Sequence, residues 1–248
     1  MLSYQHIYHA GNLADVQKHA LLAWMLSYLT RKDKPLTYLE THAGRALYDL
    51  SDAAADRTGD HPYSQVLQEL RETHGPRAYP GSPLLAAKLL RPDDRIHLAE
   101  LHPQEHSALD LAMSPYPVKC HLSDGFEMAF ALTPPTPRRG MLLIDPSYEI
   151  KTDYETIPRQ IAKLNRAWNV GIIALWYPIL TNRAHIPMLD TLTANHPDAL
   201  RHEVRFPPAR PGHGMVGSGM FVINPPYGLE TEAQNLTARF ATLTQQER

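Results

Sequence analysis

A single cysteine, Cys120, in 248 residues excludes an intrachain disulfide and any zinc site built from several thiolates. Such sparing use of cysteine points to a reducing compartment. No stretch approaches the ~18 consecutive apolar residues of a membrane span, and the opening Met1-Leu2-Ser3-Tyr4-Gln5-His6 lacks the basic start and apolar run of a signal peptide. A cytoplasmic, unexported protein is therefore expected. Excess charge of one sign is missing too: the formal net charge is -2, which supplies no overall field to attract a polyanion, so contact with nucleic acid requires a local patch. There is no glycine-rich phosphate cradle, which argues against nucleoside triphosphates. His6, His9, His19 and His42 have no compact set of carboxylate or thiolate partners in the sequence, so no metal is expected.

With 43% hydrophobic and 20% charged residues, the chain suits one compact α/β domain with a small insertion. Leu13, Val16, Ala20, Leu21, Trp24, Met25, Tyr28 and Leu29 recur at three- and four-residue spacings, predicting a helix over 13–30 with Asn12 as its N-cap. Residues 36–40 read as a first strand that enters the corner Thr41-His42-Ala43-Gly44. The polar segment 49–90 reads as an inserted helical subdomain ending in a sheet-packing helix, which divides the chain into a main α/β domain of 1–48 and 91–248 and an insertion of 49–90. Strands are expected at 96–101, 118–122, 141–144 and 170–176, separated by helical segments, and this alternation predicts a parallel sheet. Residues 199–206 and 219–223 are strand-like but joined by a Pro/Gly-rich loop, so the sheet should close on an antiparallel hairpin.

The sharpest chemical signal is Asp145-Pro146-Ser147-Tyr148 after the apolar strand Met141-Leu142-Leu143-Ile144. Ligands of open α/β sheets bind at the carboxyl ends of strands. The exocyclic amine of adenine is a poor nucleophile because its lone pair is delocalised into the ring. An enzyme that alkylates it must hold both N–H groups, here with the Asp145 carboxylate and the Pro146 carbonyl, placing acceptors where positive charge grows. Tyr148 would stack on the extruded base. Asn224-Pro225-Pro226-Tyr227 offers a competing tetrapeptide. Order argues against it, since a catalytic loop on a fourth strand needs three strands after it and only 21 residues follow Tyr227. It is read as a structural loop.

Three further features fit a nucleoside donor. Glu100 ends one strand, where an acid can bond ribose hydroxyls; Ser123-Asp124-Gly125 follows the next, where an Asp can accept from an adenine amine; and Glu40-Thr41-His42-Ala43-Gly44 forms the first corner. An acid about 60 residues beyond that corner departs from the ~20 of dinucleotide enzymes, and the insertion accounts for the excess. Lys18 and His19 lie mid-helix among apolar neighbours. Lys18, Arg45, Arg57, Arg138, Arg139, Lys151, Arg205 and Arg210 are the candidate phosphate contacts.

The chain resembles the bacterial 23S ribosomal RNA adenine-N6 methyltransferase J family, once described as involved in catabolism of external DNA. The resemblance runs nearly end to end, through Met1-Leu2-Ser3-Tyr4, His9-Ala10-Gly11-Asn12, Ala14-Asp15-Val16, Lys18-His19, Thr41-His42-Ala43-Gly44, Arg57-Thr58-Gly59 and Tyr79-Pro80-Gly81-Ser82-Pro83. It continues in Glu100-Leu101-His102-Pro103, Asp124-Gly125-Phe126, Arg138-Arg139-Gly140, Lys151-Thr152-Asp153-Tyr154, Ala174-Leu175-Trp176-Tyr177-Pro178 and Asn224-Pro225-Pro226. It implies a Rossmann-like, monomeric, S-adenosylmethionine-dependent enzyme with a seven-stranded, mostly parallel sheet, a terminal antiparallel hairpin and a small helical insertion. Its implied substrate is one adenine of 23S rRNA, methylated before ribosome assembly. By matching position, His19, His42, Ser82, Glu100, Asp124 and Gly125 would bind the donor, Lys18 would support it, Asp145 would be the catalytic acceptor and Tyr4 would meet the RNA. This chain departs from the family pattern at Ser147, where the family has proline, and at Ala46, where it has a second glycine. The residues alone leave open the same chemistry on DNA, or a nucleic-acid-binding protein without catalysis.

Overall fold

The computed structural model describes residues 11–49, 62–206 and 214–246. In chain order the elements are α1 (Leu13–Thr30), β1 (Thr37–Glu40), β2 (Leu47–Asp49), α2 (Pro62–His74), β3 (Ala78–Pro80), α3 (Ser82–Leu89), β4 (Arg95–Ala99), α4 (Pro103–Met113) and β5 (Val118–His121). There follow α5 (Gly125–Leu132), β6 (Gly140–Ile144), α6 (Asp153–Ala167), β7 (Ile172–Leu180), α7 (Ile186–Asn195), β8 (Leu200–Arg205), β9 (Met215–Ile223) and α8 (Leu229–Gln246). Among the described residues no helix is long and apolar enough to cross a membrane.

The main sheet has seven strands in the order β5-β4-β1-β6-β7-β9-β8. The first five are parallel, and β9 inserts antiparallel between β7 and β8. The order reverses beside β1, a switch point at which the carboxyl ends of neighbouring strands open a crevice. Both faces of the central strands are buried, as a parallel sheet requires. Tyr38, Met141 and Leu143 face a core shared with α1, α3 and α8, whereas Leu39, Leu142 and Ile144 face a second core with α5, α6 and α7. Each large side chain fully buried this way contributes about 1.5–3 kcal/mol of transfer free energy. Trp168, wholly enclosed in the second core, keeps its indole satisfied by donating from Nε1 to the Arg138 carbonyl at 2.6 Å.

Three expectations change in detail. The strand expected at 170–176 runs on to Leu180 through Pro178. Pairing with β6 ends at Leu175, so the proline lies where β7 has no neighbour on that side and its missing N–H costs little. The last strand begins at Met215 rather than Gly219, because it pairs with both β7 and β8 over most of its length. Within the span between β1 and β4, β2 and β3 form a two-stranded antiparallel sheet that periodicity does not reveal in strands of three residues.

Helix α1 starts as expected: the Asn12 side chain accepts from Asp15 N at 3.0 Å, and Asp15 reaches back to accept from Gly11 N at 2.9 Å, a reciprocal cap that satisfies two otherwise orphaned donors. Its register against the antiparallel edge is set by a buried polar chain. Ser218 Oγ donates to Gln17 Oε1 (2.5 Å), and Gln17 Nε2 lies 3.0 Å from His202 Nδ1. His202 Nε2 is in turn 3.0 Å from Thr237 Oγ1, whose hydroxyl donates to the Ala233 carbonyl at 3.0 Å. The chain closes only with a neutral imidazole, because an amide NH₂ cannot accept from a protonated Nδ1. Burial pushes the His202 pKa down from its ordinary 6.5 to about 4. The unfolded state therefore binds more protons between those values, and stability falls as pH drops through that window. Replacing His202 by Leu strands the Gln17 amide and should cost about 1–3 kcal/mol, while removing the share of acid sensitivity that lies between pH 6.5 and about 4. Urea denaturation of both proteins at pH 7.5 and pH 5, roughly bracketing the upper part of that window, checks both effects.

Candidate active site

The carboxyl ends of β1, β4, β5, β6 and β7 border one cavity of about 520 Å³, within the range of ~300–1,000 Å³ found for small-molecule sites. Lys18, His19, His42, Ser82, Glu100, Asp124, Gly125, Asp145, Pro146 and Tyr148 all line it. Tyr4 lies outside the described residues, as do His6, His9, Arg57 and Arg210. The expected catalytic, donor-binding and supporting residues, spread over 130 positions of chain, thus share one wall system. The competing tetrapeptide is elsewhere: Asn224 follows β9, whose end pairs with the beginning of β7. Its amide donates to the carbonyls of Asn169 (3.0 Å) and Gly171 (2.8 Å) at the opposite edge of the sheet.

Asp145 sits immediately after β6 and accepts from Lys18 Nζ at 2.6 Å through Oδ2. Lys18, on α1, also reaches Asp15 Oδ1 at 2.9 Å, and its ammonium stands 5.7 Å from the centre of the Trp176 ring. Burial alone would make the lysine easier to deprotonate, but the two flanking carboxylates more than offset it and hold Lys18 protonated well above the usual lysine range. The Asp145 carboxylate is therefore ion-paired and yet faces the cavity. Beyond it, Tyr148 takes a positive φ of 56°. Its ring stacks on Tyr154 with centroids 4.8 Å apart, and its phenol donates to the Trp176 carbonyl at 2.8 Å. Burial pushes that phenol's pKa far up, leaving it a neutral donor.

Each remaining strand end presents a polar group. Glu100 accepts from Gly44 N (2.9 Å) and His102 N (2.8 Å), which ties the first corner to the end of β4. Asp124 caps α5, taking the N–H groups of Phe126 (2.8 Å) and Glu127 (3.0 Å) on Oδ1. Next to it Gly125 packs so closely on β1 that a Cβ there would stand 1.9 Å from the Thr41 carbonyl oxygen, so only glycine brings α5 into this position. His42 bonds Thr41 Oγ1 at 2.7 Å and meets Phe126 edge-on; burial lowers its pKa, so the imidazole is neutral at pH 7. His19 is enclosed, its Nδ1 2.9 Å from the Tyr79 hydroxyl. Ser82 opens α3 behind the extended Gly81 and donates to Glu40. The N-termini of α1, α3 and α5 thus converge on the cavity, each with a partial positive charge; α1 and α5 are capped by Asn12 and Asp124, whereas α3 has no side-chain cap.

Several contributors escaped the sequence reading. Asp15, Glu105, Tyr154 and Trp176 line the cavity; the Asn12-x-x-Asp15 spacing was a legible capping signal, but nothing local marks the other three. Arg45, a candidate phosphate contact, is clasped by Glu105 (Nε to Oε2, 2.9 Å). Ala46 holds a φ of +64° while wholly buried. A non-glycine residue in that region costs about 1–2 kcal/mol, which accounts for the glycine that the resemblance puts there.

A family model described as "Ribosomal RNA large subunit methyltransferase D, RlmJ" matches residues 61–247. Curated relatives named "Ribosomal RNA large subunit methyltransferase J" are 38% identical in Escherichia coli K12, over 95% of this chain and 91% of theirs, and 37% identical in Haemophilus influenzae, over 95% and 92%. The chain belongs to the ribosomal RNA large subunit methyltransferase J family. A crystal structure of a Legionella pneumophila protein, 36% identical, superimposes with a TM-score of 0.81 over 95% of this chain and 93% of that one. An S-adenosylmethionine-dependent methyltransferase from Agrobacterium tumefaciens shares only the fold, with 10% identity and a TM-score of 0.52 over 85% and 62% of the two chains. Membership explains why a chain with this cavity carries no phosphate loop, since the family's methyl donor has no phosphate to cradle.

Behind Ser82, Glu40 is fully enclosed, accepting from Ser82 Oγ and from the Tyr38 hydroxyl at 2.8 Å. Burial pushes its pKa up from 4.5 to about 8 despite those bonds. The fold retains a proton that the unfolded chain releases above 4.5, so the contribution of Glu40 to stability declines as pH rises from 4.5 to about 8, opposite in sign to that of His202. Glu40→Gln removes this titration. Its stability relative to wild type should therefore rise steadily across that window, as read by thermal unfolding at several pH values, and an unchanged difference would show that Glu40 is already ionised in the fold.

Proposed function

We propose that this chain transfers a methyl group from S-adenosylmethionine to N6 of one adenine in 23S rRNA, acting as a monomer on RNA not yet assembled into ribosomes. The observation that carries the reading is the Asp145-Pro146 corner after β6, open to the cavity and braced from behind by Lys18.

The cavity fits the donor on its chemistry. Glu100 and Asp124 end adjacent strands as acceptors for ribose hydroxyls and an adenine amine, and the neutral His42 imidazole borders them. The N-terminus of α3 at Ser82, which no side chain caps, suits a carboxylate. His19 and Lys18 support that wall from α1. When bound, S-adenosylmethionine supplies an electrophilic methyl group on a positively charged sulfur.

The protein's own work is positioning and electrostatics. Asp145 accepts one N–H of the adenine amine and the Pro146 carbonyl accepts the other, which aims the nitrogen lone pair at the donor and favours the positive charge that develops on nitrogen. Lys18 occupies Oδ2, so it fixes the carboxylate's rotamer and leaves Oδ1 for the substrate. Tyr148, locked by Tyr154 and the Trp176 carbonyl, forms an aromatic wall for the extruded base, and Tyr4 meets the RNA. Methyl transfer is an in-line displacement without a covalent enzyme intermediate. Ser147 replaces a proline of the family pattern and frees one backbone N–H in this loop.

Asp145→Ala should lower N6-methyladenosine formation on protein-free rRNA by about 10²–10³-fold, while donor affinity by calorimetry stays measurable. Nucleoside mass spectrometry of rRNA and DNA substrates reads the outcome. Equal turnover in the variant would place the chemistry on another loop, and product in DNA but not in rRNA would reassign the substrate.

A further inference from the structure

The cavity that must admit an RNA nucleotide is itself acidic. Asp15, Glu100, Glu105, Asp124, Asp145 and Asp153 line it, against the single ammonium of Lys18. Lys18 and Arg45 are both committed to carboxylates. With a whole-chain charge of -2, neither the described part of the mouth nor the protein's overall field attracts a polyanion.

The opposite edge of the sheet has the reverse character. Loops 31–36, 90–95 and 133–139 lead into the adjacent strands β1, β4 and β6, and together they carry seven Lys and Arg against three Asp. They form one surface, because Arg91 donates to the carbonyls of Lys32 (3.0 Å) and Lys34 (2.7 Å), and Arg139 donates to Lys34 O (2.9 Å) and Leu29 O. Arg91 also gathers all three carboxylates: Asp94 at 3.1 Å, Asp33 at 3.7 Å and Asp93 at 3.9 Å. Arg31, Lys32, Lys34, Arg95 and Arg138 are consequently exposed with no ion pair among the described residues. Arg31 rides over the Tyr28 ring at 5.4 Å, and Tyr28 stacks on Trp24 at 5.6 Å, so aromatic faces flank the cations along α1.

We infer that this basic edge is a second RNA-docking surface, which holds the phosphate backbone of the substrate at a distance from the adenine being methylated. The inference rests on the RNA substrate of the preceding section. Unpaired cations supply backbone affinity without sequence readout, and planar guanidinium and aromatic groups suit stacking with nucleobases. β4 and β6 are five residues long, so the two poles lie roughly 15–20 Å apart, and an RNA must be folded or long enough to span them. A short oligonucleotide carrying only the target adenine reaches the acidic mouth alone.

The triple charge reversal Lys32→Glu/Lys34→Glu/Arg95→Glu changes exposed side chains of one loop and of the first residue of β4, and calorimetric donor affinity and the far-ultraviolet spectrum report that the fold is intact. On protein-free 23S rRNA the variant should raise KM by about tenfold or more and flatten the salt dependence of binding by about two to three charges, with kcat unchanged. On the short oligonucleotide its KM should match wild type. Wild-type KM and salt slope on the long RNA would overturn the inference, and so would an equal loss on both RNAs. If wild type forms no N6-methyladenosine in rRNA, the substrate assignment fails instead. Fluorescence anisotropy of labelled rRNA then tests the basic edge separately, where equal binding by wild type and variant overturns it.

Discussion

The site depends on one ammonium group. Lys18 bridges Asp15 on its own helix and Asp145 just after β6, and so ties the first helix to the switch point of the sheet. Enclosing a charge is unfavourable unless it is paired, and removing one partner from such a set is more damaging than never having built it. Two carboxylates around one cation satisfy the lysine, and the ammonium in turn keeps Asp15 and Asp145 from facing each other uncompensated. The remaining architecture around α1 serves this contact. The Asn12–Asp15 cap sets where the helix begins, and the Gln17–His202–Thr237 chain fixes its rotation against β8, β9 and α8. Lys18, the next residue after Gln17, is thereby delivered to the cavity.

Electrostatics also organise the molecule as a whole. The carboxyl edge of the sheet gathers acids, which suit a donor rich in hydrogen-bond donors and carrying positive charge on sulfur, and helix N-termini, which suit that donor's carboxylate. The amino edge gathers cations whose local counter-charges have been drawn onto Arg91. A net charge near zero conceals this polarity, because it averages two poles of opposite sign.

Much of the fold was legible because periodicity survives in long elements. The helix over 13–30 and its Asn12 cap, the alternation of strands and helices, and the antiparallel closure all follow from pattern alone. The choice between Asp145 and Asn224 turned on strand order rather than on the tetrapeptides, and the sheet places Asn224 at the far edge. The small β2–β3 sheet and the extension of β7 past Pro178 were not legible, because strands of three residues carry no period and a proline looks like a stop until its missing neighbour is seen. Tyr154 and Trp176 carry no local signal of a site, and Arg138 and Arg139 precede Asp145 by only a few residues yet lie at the other end of β6.

By itself the sequence determined which residue types stand at each strand end, since alternation and turn chemistry are local properties that act over a few residues. Tertiary structure alone decided the pairings: that Lys18 meets Asp145 across 127 positions of chain, that Glu40 is sealed behind Ser82, and that seven cations, Arg91 among them, collect at one edge. Charge interactions act through space in a dielectric that burial creates, and burial exists only once the sheet has closed.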